Sequence, residues 1–186
     1  MIGYAFTGSF CTVARSLEEL RHLVSLGYDV LPIMSERVYS TDTRFGRAAE
    51  LVELVEKMTS HKIIHTVADA EPLGAITPLE YMIIAPCTGN TLAKLASGIT
   101  DTSVTMAAKA HLRCDRPLLL ALASNDSMSQ NLGNIARLLT RKSVYFLPLS
   151  QDDPSGKPHS LVADFSQLSA AFDAMKEERQ LRPLFV

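Results

Sequence analysis

The sequence has few of the features that mark secreted, membrane or nucleic-acid-binding proteins. Its three cysteines are odd in number and widely separated, which argues against a disulfide framework and matches no zinc-site spacing. No run of about 18 apolar residues predicts a membrane span. The formal net charge is −2, without the basic excess that nucleic acid or an anionic membrane attracts. We therefore expect a soluble, cytoplasmic protein with no metal site, no nucleic-acid partner and no membrane partner.

Several short motifs are also missing. The first residues, Met1–Tyr4, have no charged segment or cleavage site and look like a strand rather than a signal peptide. Neither the dinucleotide fingerprint G-x-G-x-x-G nor the phosphate-loop motif G-x-x-x-x-G-K-[ST] occurs. None of the five histidines has a recognisable triad spacing with serine or cysteine, so the catalytic residues stay unknown.

Apolar runs alternate with segments of helical periodicity along the 186 residues. This alternation predicts an α/β fold: a three-layer, Rossmann- or flavodoxin-like parallel sheet with helices on both faces, in one domain spanning residues 1–186. The expected strands are Ile2–Thr7, Asp29–Met34, a short Ile63–Ile64, Tyr81–Ala85 ending at Pro86, Pro117–Leu122 and Val144–Leu147. The expected helices are 13–24, 51–58, 90–97 with an extension to 110, 128–139 and 165–179, whereas 66–77 and 150–160 are expected to be loops.

Ligands of open parallel sheets bind beyond the carboxyl ends of the strands, so the loops that follow the strands are the candidate site. Four of these loops are rich in Ser, Thr, Asn and Gly, and poor in charge. Three of them open onto a helix, whose free N–H groups and partial positive charge can hold a phosphate without lysine. The candidate phosphate contacts are Gly8, Ser9, Ser35, Thr88 and Thr91.

Each loop has a simpler interpretation, because Ser, Thr and Asn are also the preferred N-caps of helices. It is the recurrence of four such loops at one sheet edge that favours a ligand site. Cys11 and Cys87 lie near helix starts, where a thiol pKa can be depressed, but we favour small residues packed against a cofactor.

The segment from Ala85 to Asp101 resembles the P-A-S-A-N-T-x-A-K-x-A-x-G-x-A-D stretch of the FMN-binding flavoproteins. That family includes peptide and phosphopantothenoylcysteine decarboxylases and flavin prenyltransferases. Asn125 and Met128 match the spacing of its M-N-x-x-M motif, and Gly8-Ser9 matches its first loop. The resemblance implies FMN as the cofactor. The resemblance also implies contacts to the ribityl chain and the ring of FMN. The full set of implied cofactor contacts is Gly8, Ser9, Phe10, Ser35, Pro86, Thr88, Gly89, Asn90, Thr91, Ser124, Asn125 and Met128.

The sequence departs from the decarboxylases and prenyltransferases at the positions that carry their chemistry. The region where the decarboxylases have a catalytic histidine reads Glu71–Gly74 here. Ala123 and Ser124 stand where the prenyltransferases have an arginine, and Ser124 replaces the first Met of the M-N motif. Both departures disfavour decarboxylation and prenyl transfer.

Over its whole length the chain is similar to another branch of this family, whose members are the B subunits of two-component synthases of pyridine-2,6-dicarboxylate. The segments 5–12, 123–126 and 151–162 carry this similarity. It implies a role in the oxidation of a dihydrodipicolinate-type ring in the mother cell of a sporulating bacterium. It also implies a partner, the A subunit of the synthase, which resembles nicotinamide-dependent dehydrogenases.

The sequence favours two functions over a third, disfavoured one, which is flavin-dependent decarboxylation or prenyl transfer. In the first, the chain belongs to an enzyme and its FMN accepts the equivalent of a hydride. In the second, it is a non-catalytic binding subunit, while the partner performs the redox chemistry. The resemblance further implies a homo-oligomer, a trimer or a dodecamer. A small dicarboxylate substrate calls for cations, and Arg15, Arg37 and Lys109 are candidates by position.

Overall fold

The computed structural model describes the whole chain, residues 1–186, as a sheet layered between helices. The strands are β1 (Ile2–Phe6), β2 (Val30–Met34), β3 (Tyr81–Cys87), β4 (Leu118–Ser124), β5 (Val144–Phe146), β6 (Leu149–Ser150) and β7 (Leu161–Ala163). The helices are α1 (Val13–Ser25), α2 (Glu36–Ser40), α3 (Ala48–Thr59), α4 (Val67–Ala70), α5 (Gly89–Ser97), α6 (Ser103–Leu112), α7 (Gln130–Leu139) and α8 (Leu168–Lys176). Two 3-10 turns, Phe10–Thr12 and Phe165–Gln167, precede α1 and α8.

The central strands pair in parallel and give the order β2-β1-β3-β4-β5. All residues of β1 and β2 and nearly all of β3 and β4 are buried, because helices cover both faces of the sheet. Helices α1, α3 and α8 pack together on one side, and α4, α5, α6 and α7 pack together on the other. The predicted α/β class and the three-layer parallel sheet are confirmed.

This strand order determines where at the edge of the sheet a ligand crevice opens. The chain runs outward from β1 to β2 and then returns to the other side of β1 as β3, so the helices that follow β1 and β3 cover opposite faces of the sheet. A crevice opens at such a switch point, beyond the carboxyl ends of the strands. The loops after β1, β3 and β4 therefore face one another across the crevice.

The prediction that β3 stops at Pro86 is wrong. The strand continues to Cys87, and its register with β4 shifts between Ile84 and Cys87. Proline has no N–H group to donate to a neighbouring strand. Because the register shifts here, Pro86 does not have to supply a donor to β4. As a result the carbonyl group of Pro86 turns towards the loop after β1.

Other differences involve short elements that periodicity cannot resolve. The expected Ile63–Ile64 strand is only an isolated bridge between Ile64 and Ile33. The expected loops contain α4 and lead into the antiparallel strands β6 and β7, while α2 follows β2 directly. The expected extended helix is divided, since Gly98 ends α5 with φ 72° and a reciprocal Thr102–Thr105 capping box starts α6.

None of the helices combines the length and hydrophobicity needed to cross a bilayer.

Candidate functional site

A cleft of about 810 Å³ lies beyond the carboxyl ends of β1, β3 and β4. The 151–160 loop closes one side of it. Strand β7 holds this loop in place by pairing Val162 with Ala123 and Leu161 with Ser124. Eight of the predicted site residues line the cleft: Gly8, Ser9, Phe10, Thr88, Gly89, Asn90, Ser124 and Asn125.

The other four predicted residues do not line the cleft, and three of them support its walls. The carbonyl group of Pro86 accepts hydrogen bonds from the backbone and the hydroxyl of Thr7 at 3.2 and 2.8 Å. Thr91 is buried behind Thr88. The backbone N–H of Met128 donates to the carbonyl of His159 at 2.9 Å, which anchors the 151–160 loop. Ser35 precedes α2, and its N–H donates to the carbonyl of Phe6.

Backbone N–H groups supply uncharged donors at two places in the cleft. In the turn after β1, the N–H groups of Phe10 and Cys11 make no hydrogen bond within the chain. At the start of α5, Thr91 N donates to the Thr88 hydroxyl and Leu92 N to the Thr88 carbonyl. The N–H groups of the first two residues of this helix, Gly89 and Asn90, therefore stay free.

Some polar side chains of the cleft already donate hydrogen bonds within the chain, and others do not. The Thr88 hydroxyl caps α5 and donates to the Thr91 hydroxyl at 3.0 Å, so its proton is already used. The Ser124 hydroxyl donates to Asp126 in the same way. By contrast, the Ser9 hydroxyl accepts from Thr12 at 3.1 Å, and its own proton has within the chain only a long contact, 3.9 Å, to the Cys11 Sγ. The amides of Asn90 and Asn125 make no hydrogen bond to another side chain or to the backbone.

Most of the charged residues that line the cleft are not among the residues predicted from the sequence. Arg15 was one of three cation candidates, and it lines the cleft, whereas Arg37 and Lys109 do not. Arg44 and Lys157 were not predicted, since both lie in loops without a periodic pattern. Two carboxylates, Asp126 and Asp152, complete the charged lining.

Both carboxylates are held by internal donors. The Ser124 hydroxyl and the Asn131 amide lower the pKa of Asp126 below its usual value. Lys157 at 3.0 Å and the Ser160 hydroxyl at 2.8 Å lower the pKa of Asp152. Each group stays ionised at neutral pH, which makes it a weak base and an unsuitable general acid.

The two cysteines near helix starts, Cys11 and Cys87, differ in exposure. Cys87 is completely buried at the end of β3, and burial raises the pKa of its thiol to about 12. It therefore cannot supply a thiolate near neutral pH. Cys11 is exposed beside Ser9 at the cleft, with 3.9 Å between its Sγ and the serine Oγ.

The residues of the cleft fit the groups of FMN. Uncharged N–H donors at a turn and a helix start suit a phosphate. The free amides of Asn90 and Asn125 suit a polyhydroxylated chain, and Phe10 offers an aromatic surface at the same edge. Gly8 leaves its backbone open, because an added Cβ would approach only the Phe10 ring, at 3.7 Å. The volume falls in the range of roughly 300–1,000 Å³ that cofactor-sized ligands occupy.

The strand order is flavodoxin-like, and uncharged N–H donors lie at its switch point, where proteins of this fold class bind their ligands. Comparison with known proteins narrows this class. The sequence profile of the flavoprotein family, described as "Flavoprotein", matches residues 1–171. The chain belongs to the flavoprotein family.

Individual relatives match the chain over its full length. The chain is 42% identical to the B subunit of dipicolinate synthase of Bacillus subtilis (strain 168) over 185 residues, which covers 100% of this chain and 92% of that protein. The crystal structure of the dipicolinate synthase B subunit from Bacillus halodurans C superposes with a TM-score of 0.91 at 39% identity, covering 100% of this chain and 95% of that one. The expected resemblance to these B subunits is confirmed.

A more distant structure shares the fold. The AnUbiX (PadA1) structure, in complex with FMN and dimethylallyl pyrophosphate, superposes with a TM-score of 0.64 at 23% identity, covering 79% of this chain and 76% of that one.

Proposed function

We propose that this chain is the FMN-binding B subunit of a dipicolinate-forming oxidoreductase and takes part in the oxidation of a dihydrodipicolinate-type ring to dipicolinate during sporulation. The observation that carries the proposal is the cradle of unpaired N–H groups at Phe10, Cys11, Gly89 and Asn90, in a chain 42% identical to the B subunit of a dipicolinate synthase. The FMN in the solved structure of a relative with the same fold supports the choice of cofactor.

The cradle would hold the phosphate. The N–H groups after β1 and at the start of α5, with the Ser9 hydroxyl, supply the donors, and Thr88 and Thr91 keep α5 in the required position. Asn90 and Asn125 would face the ribityl chain, and Phe10 would face the ring. Ser35, Pro86 and Met128, which were also candidate contacts, would act through the backbone that they position.

The chemistry that a flavin supplies when bound is acceptance of the equivalent of a hydride. The chain itself would bind and orient the reactants. Aromatisation of the ring also releases one proton, which solvent water would accept, because the depressed pKa values of Asp126 and Asp152 make both carboxylates weak bases. This composition favours oxidation over hydrolysis or decarboxylation.

We propose the A subunit of dipicolinate synthase, with a nicotinamide cofactor, as the partner, a small dicarboxylate as the substrate, and the cytoplasm as the compartment. We also propose self-association as a trimer or a dodecamer. An apolar groove next to the cleft is compatible with a contact between copies, because Phe45 and Leu54 leave apolar surface exposed there.

Reconstitution with the A subunit tests the proposal. Dipicolinate formation is measured with the partner in isolation, with this chain freed of flavin, and with this chain plus FMN. Ser9→Asp places a carboxylate against the phosphate, and Ser40→Asp, on the exposed end of α2, is the matched control. We expect FMN to raise the rate with the unsubstituted chain and with Ser40→Asp, but not with Ser9→Asp.

Two other outcomes have definite meanings. A full rate with the flavin-free chain contradicts a redox role for FMN and leaves a non-catalytic protein that supports its partner. A full rate with the partner in isolation contradicts any role in the reaction.

A further inference from the structure

The charged side chains that line the cleft form two sets with different states of pairing. Asp126 and Asp152 are satisfied by neighbouring donors, and Lys157 is paired with Asp152 at 3.0 Å. Arg15 and Arg44 have no carboxylate within 4 Å of the guanidinium group and donate no hydrogen bond within the chain. The charged lining of the cleft is therefore net positive by one charge, and Arg15 and Arg44 are its two side chains that have no hydrogen-bond or ion-pair partner within the chain.

The segment that carries Arg44 has a defined conformation. Thr43 and Gly46 exchange backbone hydrogen bonds at 3.0 and 3.1 Å, and the Thr43 hydroxyl accepts from the N–H of Phe45. The Arg44 guanidinium lies over the Phe45 ring, 4.8 Å from its centroid. Such stacking orients a guanidinium and leaves its edge free for a planar acceptor.

Arg15 reaches the cleft from the first turns of α1. Its neighbours on the far side are acidic, since a second depression that also includes Glu18, Glu19 and Asp164 adjoins it. None of these carboxylates forms an ion pair with Arg15. The guanidinium is therefore available to an anion that enters the cleft.

We propose that Arg15 and Arg44 form a subsite for a small dicarboxylate, each binding one carboxylate group of the same ligand. This inference rests on the proposed function, in which the uncharged cradle takes the cofactor phosphate and leaves the two arginines for a second anionic molecule. A guanidinium pairs with a carboxylate through two parallel hydrogen bonds, so two arginines select a ligand with two carboxylates over a ligand with one.

Direct titration tests the subsite without the reaction. The probes are pyridine-2,6-dicarboxylate and pyridine-2-carboxylate, titrated calorimetrically into the FMN-loaded chain and into the flavin-free chain in metal-free buffer. The variants are Arg15→Gln and Arg44→Gln. Arg21→Gln, also exposed on α1 but outside the cleft, is the matched control. FMN affinity is measured in parallel by flavin fluorescence.

We expect each cleft variant to weaken dicarboxylate binding by about tenfold, the magnitude of one charge-assisted contact. The monocarboxylate should bind the unsubstituted chain about tenfold more weakly than the dicarboxylate. Arg21→Gln should change neither affinity, and all three variants should bind FMN as the unsubstituted chain does.

Equal dicarboxylate affinity for all variants overturns the subsite. So does a loss of FMN affinity in Arg15→Gln and Arg44→Gln, which would assign the arginines to the phosphate and leave the proposed function intact. If the unsubstituted chain binds no FMN, the proposed function fails, and the titrations of the flavin-free chain still decide the role of the arginines.

Discussion

The backbone N–H of Thr88 donates to the hydroxyl of Thr7 at 2.9 Å, across 81 residues of sequence. The same hydroxyl donates to the carbonyl of Pro86 at 2.8 Å. One buried side chain therefore ties the loop after β1 to the loop after β3, and these loops carry the free N–H groups of the cradle. The spacing between the two halves of the cradle depends on this link.

Replacement of Thr7 by valine keeps the shape of the side chain and removes both hydrogen bonds. Thr7 is 1% exposed, so the loss leaves a partly buried N–H unsatisfied. We expect the free energy of unfolding to fall by about 1–3 kcal/mol and FMN to bind more weakly. Urea unfolding and flavin titration measure the two effects. Thr140→Val, at the exposed end of α7, should change the free energy of unfolding by no more than about 0.5 kcal/mol. Equal losses of stability in Thr7→Val and Thr140→Val would contradict the special role of Thr7.

Gly89 has no room for a side chain. An added Cβ would collide with the Ser124 hydroxyl and would lie 2.7 Å from the Asn131 amide and 2.8 Å from the Asp126 carboxylate. We expect Gly89→Ala to destabilise the fold by about 1–3 kcal/mol and to weaken FMN binding. Gly133→Ala, in α7, meets no atom within 4 Å and should stabilise the helix by about 0.5–1 kcal/mol. In thermal unfolding, Gly89→Ala should melt at a lower temperature than the unsubstituted chain, and Gly133→Ala at a higher temperature.

His111 should make the fold sensitive to mild acid. It is completely buried, and its Nε2 lies 2.7 Å from the carbonyl of Pro117, while its Nδ1 has no partner. Burial lowers the pKa of the imidazole to about 4, so the folded state keeps it neutral. As the pH falls below about 6.5, the unfolded state binds a proton that the folded state does not bind. Stability contributed by the neutral form is therefore complete above about pH 6.5 and decreases down to about pH 4.

Between about pH 6.5 and pH 5 the loss amounts to about 1.6 kcal/mol, because the slope rises from about 0.7 kcal/mol per pH unit at pH 6.5 towards about 1.4 at lower pH. Urea unfolding at these two pH values measures it. His111→Gln should remove most of this dependence, whatever its effect at neutral pH, whereas His22→Gln, exposed on α1, should keep it. An unchanged pH dependence in His111→Gln would contradict this role of the buried imidazole.

The sequence predicts the sheet and the position of the site because both follow from simple periodicity. Continuous apolar runs such as Tyr81–Ala85 indicate buried parallel strands, and a polar loop that opens onto a helix marks their functional edge. The loops at Gly8-Ser9 and Thr88–Asn90 follow this pattern, and both line the cleft.

Side-chain pairing and short elements could not be predicted in the same way. Ser124 looks like a free donor in the sequence, yet Asp126 two residues later takes its proton. Arg44 reaches the cleft only because a short turn between α2 and α3 folds towards α1. Strand β7 has three residues and pairs with the end of β4, which no local pattern indicates.

The central claim is that uncharged donors of the loops after β1 and β3 hold the phosphate of FMN, and a comparison of FMN with riboflavin tests it most directly. Fluorescence titrations give both affinities for the unsubstituted chain and for Ser9→Asp. We predict that FMN binds at least about tenfold more tightly than riboflavin, since the phosphate adds charge-assisted hydrogen bonds. Ser9→Asp should abolish this preference by repulsion. Equal affinities of the unsubstituted chain for the two flavins, or an unchanged preference in Ser9→Asp, would contradict the claim.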